Sequence, residues 1–321
     1  MSTRWVAPMM AMTSTSTIDW SPMPLPIIVG VDPLEPDRAP VTVGAALAQL
    51  TGAPLIVAAS YLHDAITDAV SGGRVEHDLR EQAETALRDL AGDLAAERVV
   101  VAGFSAAHAL HDLAVERNAG LIVVGSSRRG RFGRLAPGTT AERLLHGAQC
   151  PVAVAPRGLA EDWTPRGFGV GFVDLDEGHH ALRAAVAFAD VAGGTLEAVT
   201  AVQPMFFARG AAIAPYDTGA GGEAAREAAE RSLRRALEES GRDTSEGCIL
   251  VGEPVDALVG LSDRVDLLIC GSRGYGPIES VLLGGVSHGL MRDAHCPVLV
   301  IPRGGGDAID LLTATRASTG T

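Results

Sequence analysis

Short apolar runs recur along this chain, each followed by a longer amphipathic stretch. In the first half the runs fall at 27–32, 55–60, 98–103, 121–125 and 152–155. They are rich in β-branched residues and show little polar alternation, the pattern of strands covered on both sheet faces. Between them, apolar positions recur at helical spacing over about 39–51, 75–96, 106–118 and 139–146. The second half repeats the order, with strands predicted at 169–173, 196–202, 248–251, 267–271 and 298–301 and a long helix at about 222–240. That helix carries Glu227–Arg231 and Glu230–Arg234 at i,i+4, which marks an exposed face. Alternating strand and helix predict an α/β fold with a parallel sheet and right-handed crossovers.

The two halves are copies of one unit. LIVVGSSRRGRFGRLAPGTTAERLLHGAQCPVAVAPRG (121–158) lies against LLICGSRGYGPIESVLLGGVSHGLMRDAHCPVLVIPRG (267–304) at a constant offset of 146 residues. Gly125 then matches Gly271, Gly138 matches Gly284, Cys150 matches Cys296 and Pro151 matches Pro297. Upstream, IIVGVD (27–32) faces VGFVD (170–174), and LAQLTGAPLIV (47–57) faces FADVAGGTLEAV (188–199). A period of this length is a duplicated domain and not a solenoid repeat. We therefore expect domains at 24–158 and 167–303, the linker LAEDWTPR at 159–166, and disordered tails at 1–23 and 304–321.

Composition narrows the classes. The 321 residues are enough for two domains with cores of their own, and 47% hydrophobic content speaks against broad disorder. Aromatics at 4% argue against stacking platforms for single-stranded nucleic acid. A net charge of −13 argues against nucleic acid or an anionic membrane as a partner. No apolar run reaches spanning length, and the N-terminal stretch lacks the continuous apolar core of a secretory signal. Four cysteines without a CxxC pair read as buried thiols in a reducing compartment, so a cytoplasmic location is expected.

The candidate chemistry lies in GSRGYGPIESVLLGG (271–285), directly after an apolar strand. It is not a Walker loop, because Pro277 and Ile278 stand where Lys and Ser/Thr are required. Nor is it a dinucleotide fingerprint, since Glu279 breaks the spacing set by Gly274 and Gly276. Backbone amides without side chains can still form a nest for an anion, helped by the positive end of the next helix. Asp32 and Asp174 close the first strand of each copy. If the first and fourth strands are neighbours, each acid shares a crevice with a glycine loop, at the place where open parallel sheets bind ligands.

Loop, first-strand acid, the CPV strand and the duplication together resemble the universal stress protein family. Its loop reads G-x2-G-x9-G-[S/T]. In the second copy Gly271, Gly274 and Gly284 match, Gly285 replaces the final hydroxyl residue, and Ser287 follows two residues on. In the first copy Gly125, Gly138 and Thr139 match, while Arg128 replaces the second glycine. The resemblance implies a five-stranded parallel sheet of order 3-2-1-4-5 in each copy, of the adenine-nucleotide α-hydrolase kind. It implies ATP, with Mg, as the ligand of these residues and of the basic Arg128 and Arg273 beside them. Backbone at Ser60 and Ala201 would face the adenine. It further implies pairing of 152–155 with 298–301 within one chain, and leaves association of two chains open. The function it implies is an adenine-nucleotide-binding stress-response regulator with no more than incidental hydrolysis. The second crevice ranks above the first, because a lost hydroxyl costs less than a blocked amide nest.

Rival readings attach to the same residues. The duplicated fold would also serve as a nucleotide-free pairing module, which Arg128 and Gly285 favour. GVSHG (285–289) fits the G-x-S-x-G elbow of serine hydrolases, but Ser287 stands sixteen residues past its strand. RRGRFGR (128–134) holds four arginines and reads equally as a phosphate grip or a solvated loop. His108, His111 and Asp112 share a helix face, and His179–His180 opens another helix; solvated faces explain both pairs, and no metal site is expected. Cys150 and Cys296 read as small buried hydrophobes.

Overall fold

The computed structural model describes residues 25–63, 73–127, 135, 138–203, 206–209, 212–215, 220–272 and 285–302. Both expected tails, and with them Arg128, Arg273, Gly274 and Gly284, lie outside the described residues.

The first copy runs β1 (Ile27–Val31), α1 (Ala39–Thr51), β2 (Leu55–Leu62), α2 (Arg74–Ala91), β3 (Glu97–Gly103), α3 (Ala106–Glu116), β4 (Leu121–Gly125), α4 (Thr139–Gly147) and β5 (Val152–Ala155). The second runs β6 (Gly167–Gly171), α5 (Asp176–Ala192), β7 (Thr195–Val202), a hairpin of β8 (Phe206–Arg209) and β9 (Ala212–Pro215), α6 (Ala220–Glu239), β10 (Gly247–Val251), α7 (Pro254–Ser262), β11 (Leu267–Gly271), α8 (Gly285–Asp293) and β12 (Val298–Ile301). The β8–β9 hairpin is a separate two-stranded sheet that the sequence pattern does not reveal.

Apart from the hairpin, all strands among the described residues join one ten-stranded sheet, ordered β10-β7-β6-β11-β12-β5-β4-β1-β2-β3. Within each half this is the order 3-2-1-4-5, and every pair inside a half is parallel. Where the halves meet, β12 runs antiparallel to β5, with Val298 opposite Val154 and Val300 opposite Val152. Strand alternation explains the layers. Ile27, Val29, Val123, Ala153, Phe168, Ile269 and Leu299 face α1, α2, α5 and α6, while Ile28, Ile122, Val154, Leu268 and Val298 face α3, α4, α7 and α8. Each face is apolar, so the strands show no polar alternation, and each core runs unbroken through both halves.

Several expected boundaries shift, and three of them bear on where the chain is placed. The helix predicted to reach residue 96 ends at Ala91, where Gly92 takes φ +48 and turns the chain toward β3. Next, β1 ends at Val31, one residue before Asp32. The third shift bears on function: β6 covers Gly167–Gly171 and not 169–173, so Asp174 lies three residues beyond the strand. Phe172 N still donates to Val199 O, after which the chain turns directly into α5.

Candidate functional site

In both halves the first and fourth strands are neighbours, β1 with β4 and β6 with β11. The carboxyl ends of each pair therefore open into one crevice at the point where strand order reverses. The halves repeat this floor bond for bond. After Gly125, Ser126 N donates to Ala155 O at 2.9 Å; after Gly271, Ser272 N donates to Ile301 O at 2.9 Å.

The glycines differ in why they are glycines. A Cβ on Gly271 would stand 2.7 Å from the Glu177 carbonyl and 2.9 Å from Glu177 Cβ, so the first turn of α5 packs hard against it. Gly125 has more room, with Pro40 at 3.6 Å and Asp37 Oδ2 at 3.7 Å, both ordinary contacts. Gly138 precedes α4 with φ −84 and would meet Ser127 only at 3.8 Å; Gly285 meets nothing within 4 Å. Among the described residues, packing thus accounts for the glycine at 271 and for none of the other three. Thr139 opens α4, and its backbone N–H is one of the four at that helix start without an intrahelical acceptor.

The two acids have different surroundings. Asp32 is exposed, and its Oδ1 accepts from Leu34 N at 2.9 Å, an Asx turn. Asp174 Oδ1 sits 2.9 Å from His179 Nε2 on α5. Ser232 of α6 hydrogen-bonds the same carboxylate, and Ser232, then His179, hold it below its ordinary pKa, with Arg235 adding charge. Since α6 packs on β7 and β10, this draws Asp174 toward the far side of β6 from Gly271. In the first half Pro33 and Pro36 face Asp78, Glu81 and Thr85 of α2 across a cavity of about 510 Å³.

Two acids that the sequence reading passed over lie on the crevice floors. Asp37 Oδ1 accepts from Ala39 N at 3.1 Å at the start of α1, while Oδ2 is buried without a hydrogen-bond partner among the described residues. Glu177 is buried in the second half and has a partner of its own. A short acid two residues before a helix is a capping signal, and "DRAP" (37–40) carries it.

Ser287 sits in the first turn of α8, almost fully buried, and its hydroxyl donates to Gly271 O at 3.3 Å. As a phosphate donor or a nucleophile it would first have to release that carbonyl. His108 pairs with Asp112 at 3.4 Å on an exposed helix face. Cys150 and Cys296 are buried, and burial pushes each thiol up to about 12. Ser60 and Ala201 stand near the ends of β2 and β7, beside β1 and β6.

These features define a tandem α/β protein with a crevice at each switch point. Two stretches, 23–156 and 168–302, each match the model of the universal stress protein family, and the chain belongs to that family as a two-copy member. A universal stress protein of Mycobacterium tuberculosis is 29% identical over 231 residues, 69% of this chain and 77% of that protein. One from Mycobacterium bovis is 30% identical over 191 residues, 58% of this chain and 63% of the relative. Among solved structures, a universal stress protein from Archaeoglobus fulgidus superimposes with a TM-score of 0.58 at 17% identity, covering 87% of this chain and 98% of its own. A Pseudomonas aeruginosa protein of unknown function gives 0.62 at 15% identity, with 91% and 97% covered. At these identities the structures speak for the fold.

Proposed function

We propose that this chain is a cytoplasmic stress-response regulator that binds an adenine nucleotide, with ATP as the preferred ligand, and does not turn it over at a substantial rate. Its working units are the domains at 24–158 and 167–303. The observation that carries this reading is the pairing of crevice and glycine in the first half. Gly125 and Gly138 flank the carboxyl end of β4, next to β1, and among the described residues no packing contact requires either to lack a side chain. Amides kept bare beside a helix start suit a phosphate. Asp32, exposed at the adjoining strand end, has acceptor capacity left for a nucleoside hydroxyl or amine.

Titration calorimetry with ATP tests the reading. Gly138→Val fits the extended backbone at 138, so the variant should keep the wild-type melting temperature and lose at least about tenfold in affinity, the value of one charge-assisted bond. Wild-type affinity in that variant would overturn the proposal. Absorbance near 260 nm released on denaturation would identify nucleotide carried through purification.

A second reading, a pairing module without nucleotide, draws on the second half. There Asp174 is engaged by α5 and α6, and Glu177 closes over Gly271. Gly271→Val cannot separate the two readings, because its side chain would displace Glu177 and so disturb folding as well as binding.

A further inference from the structure

Resting on the nucleotide reading, we infer that Asp37 is the protein's carboxylate for a divalent cation that enters the first crevice with the nucleotide, so that this crevice takes the metal complex and not the free anion.

Helix capping accounts for half of the Asp37 carboxylate. Oδ1 receives Ala39 N; Oδ2 is out of solvent contact and has no hydrogen-bond partner among the described residues. A carboxylate oxygen left in this state is costly, and native proteins answer it with a cation or a donor. The neighbouring Arg38 does not serve: its Nη2 donates to Asp89 O at 3.1 Å, and its Nε faces Glu161 at 4.0 Å. The orphan oxygen stands 3.7 Å from where a Cβ on Gly125 would lie, at the residue from which the glycine loop departs. It therefore sits where the resemblance places phosphate. A bare phosphate would be repelled there. A magnesium ion would not, because Mg²⁺ is commonly held by one or two carboxylates together with the phosphates of its nucleotide.

The second crevice lacks this arrangement. Between Asp174 and α5 there is one residue, whereas six residues lie between Asp32 and Ala39, and Asp37 is among them. What packs on Gly271 is the backbone carbonyl and Cβ of Glu177, not a carboxylate oxygen, and the Glu177 side chain has a partner of its own. One metal–nucleotide complex per chain follows, and it belongs to the first half.

The full-length protein is titrated with ATP in Mg²⁺ and again in EDTA, as wild type, Asp37→Asn and Asp32→Asn. Asparagine keeps an oxygen for Ala39 N, so the cap survives. Wild type should bind on the order of tenfold tighter in Mg²⁺, Asp37→Asn should lose that dependence, and Asp32→Asn should retain it. Mn²⁺ in place of Mg²⁺ gives a second readout that needs no variant: its paramagnetic resonance signal should show one bound ion per chain only when ATP is present. Equal wild-type affinity in Mg²⁺ and EDTA would overturn the inference while the nucleotide reading stands. So would an Asp37→Asn affinity lowered equally in both, which would make Asp37 the acceptor of a nucleoside donor. No binding under either condition would remove the nucleotide reading and this inference together.

Discussion

Asp174 Oδ1 and His179 Nε2 lie 2.9 Å apart, across the turn that leads from β6 into α5. His179 also sets its ring edge-on to Phe172, centroids 5.2 Å apart. With Ser232 on the same carboxylate, one acid ties the strand end to two helices. Its pKa is depressed, so its contribution to stability is present above the unfolded value of about 3.9 and is lost as pH falls through the lower folded value. Asp174→Asn should therefore be less stable at pH 7 by on the order of 0.5 kcal/mol, a small figure because the side chain is two-thirds exposed. The deficit should shrink and vanish as denaturant titrations are carried to a pH below the depressed folded value. A deficit that persists there would mean that the carboxylate charge is not what holds the turn.

The expected ranking of the two crevices rested on the loops, where Gly285 and Arg128 are the departures. On the proposed reading the first crevice is favoured instead, since the second half has its acid tied and its first glycine covered. This could not be read from sequence, because Ser232 is 58 positions from Asp174 and nothing local in either segment announces the other. By contrast, the duplication was fully legible. The 146-residue offset maps Ser126, Ala155 and Gly125 onto Ser272, Ile301 and Gly271, and the backbone bonds repeat accordingly. The strands were legible because burial on both faces leaves uninterrupted apolar runs. Asp37 escaped notice because a carboxylate in PLEPDR (33–38) looks like any solvated turn acid until its neighbours are known.

Leu135 lies within the first half's glycine loop, yet it belongs to the second half's packing. Its N donates to Ala294 O at 2.8 Å, and its fully buried side chain joins the core that holds Leu290, Met291 and Ala294. Leu135→Ala should cost about 2–4 kcal/mol. The effect should cross between copies: hydrogen exchange should accelerate in α8 and β12 and not only in the first half. Unchanged exchange at 285–301 would show that the contact does not couple them.

Gly178 tests how tightly α5 is seated. A Cβ there would stand 1.9 Å from Val173 O, a backbone atom that cannot move without lifting the helix from β6. Gly178→Ala, though alanine is the better helix former, should destabilise the protein by about 3 kcal/mol or more in chemical unfolding. A neutral or stabilising result would mean that the helix start can shift freely, and Glu177 would then no longer be held against Gly271.

The cysteines separate burial from reactivity. Cys150, Cys270 and Cys296 are buried, and desolvation raises each thiol to about 12, so at pH 8 almost none is thiolate. Cys248, in β10, is half-buried and is the exception among the four. Native protein treated with iodoacetamide at pH 8 should take up at most one label per chain, at Cys248, whereas denatured protein should take up four. Labelling of Cys270 in the folded state would be the telling failure. That thiol lies 4.0 Å from Ser287 Oγ beneath Gly271, so its modification would require α8 to part from β11 at the floor of the second crevice.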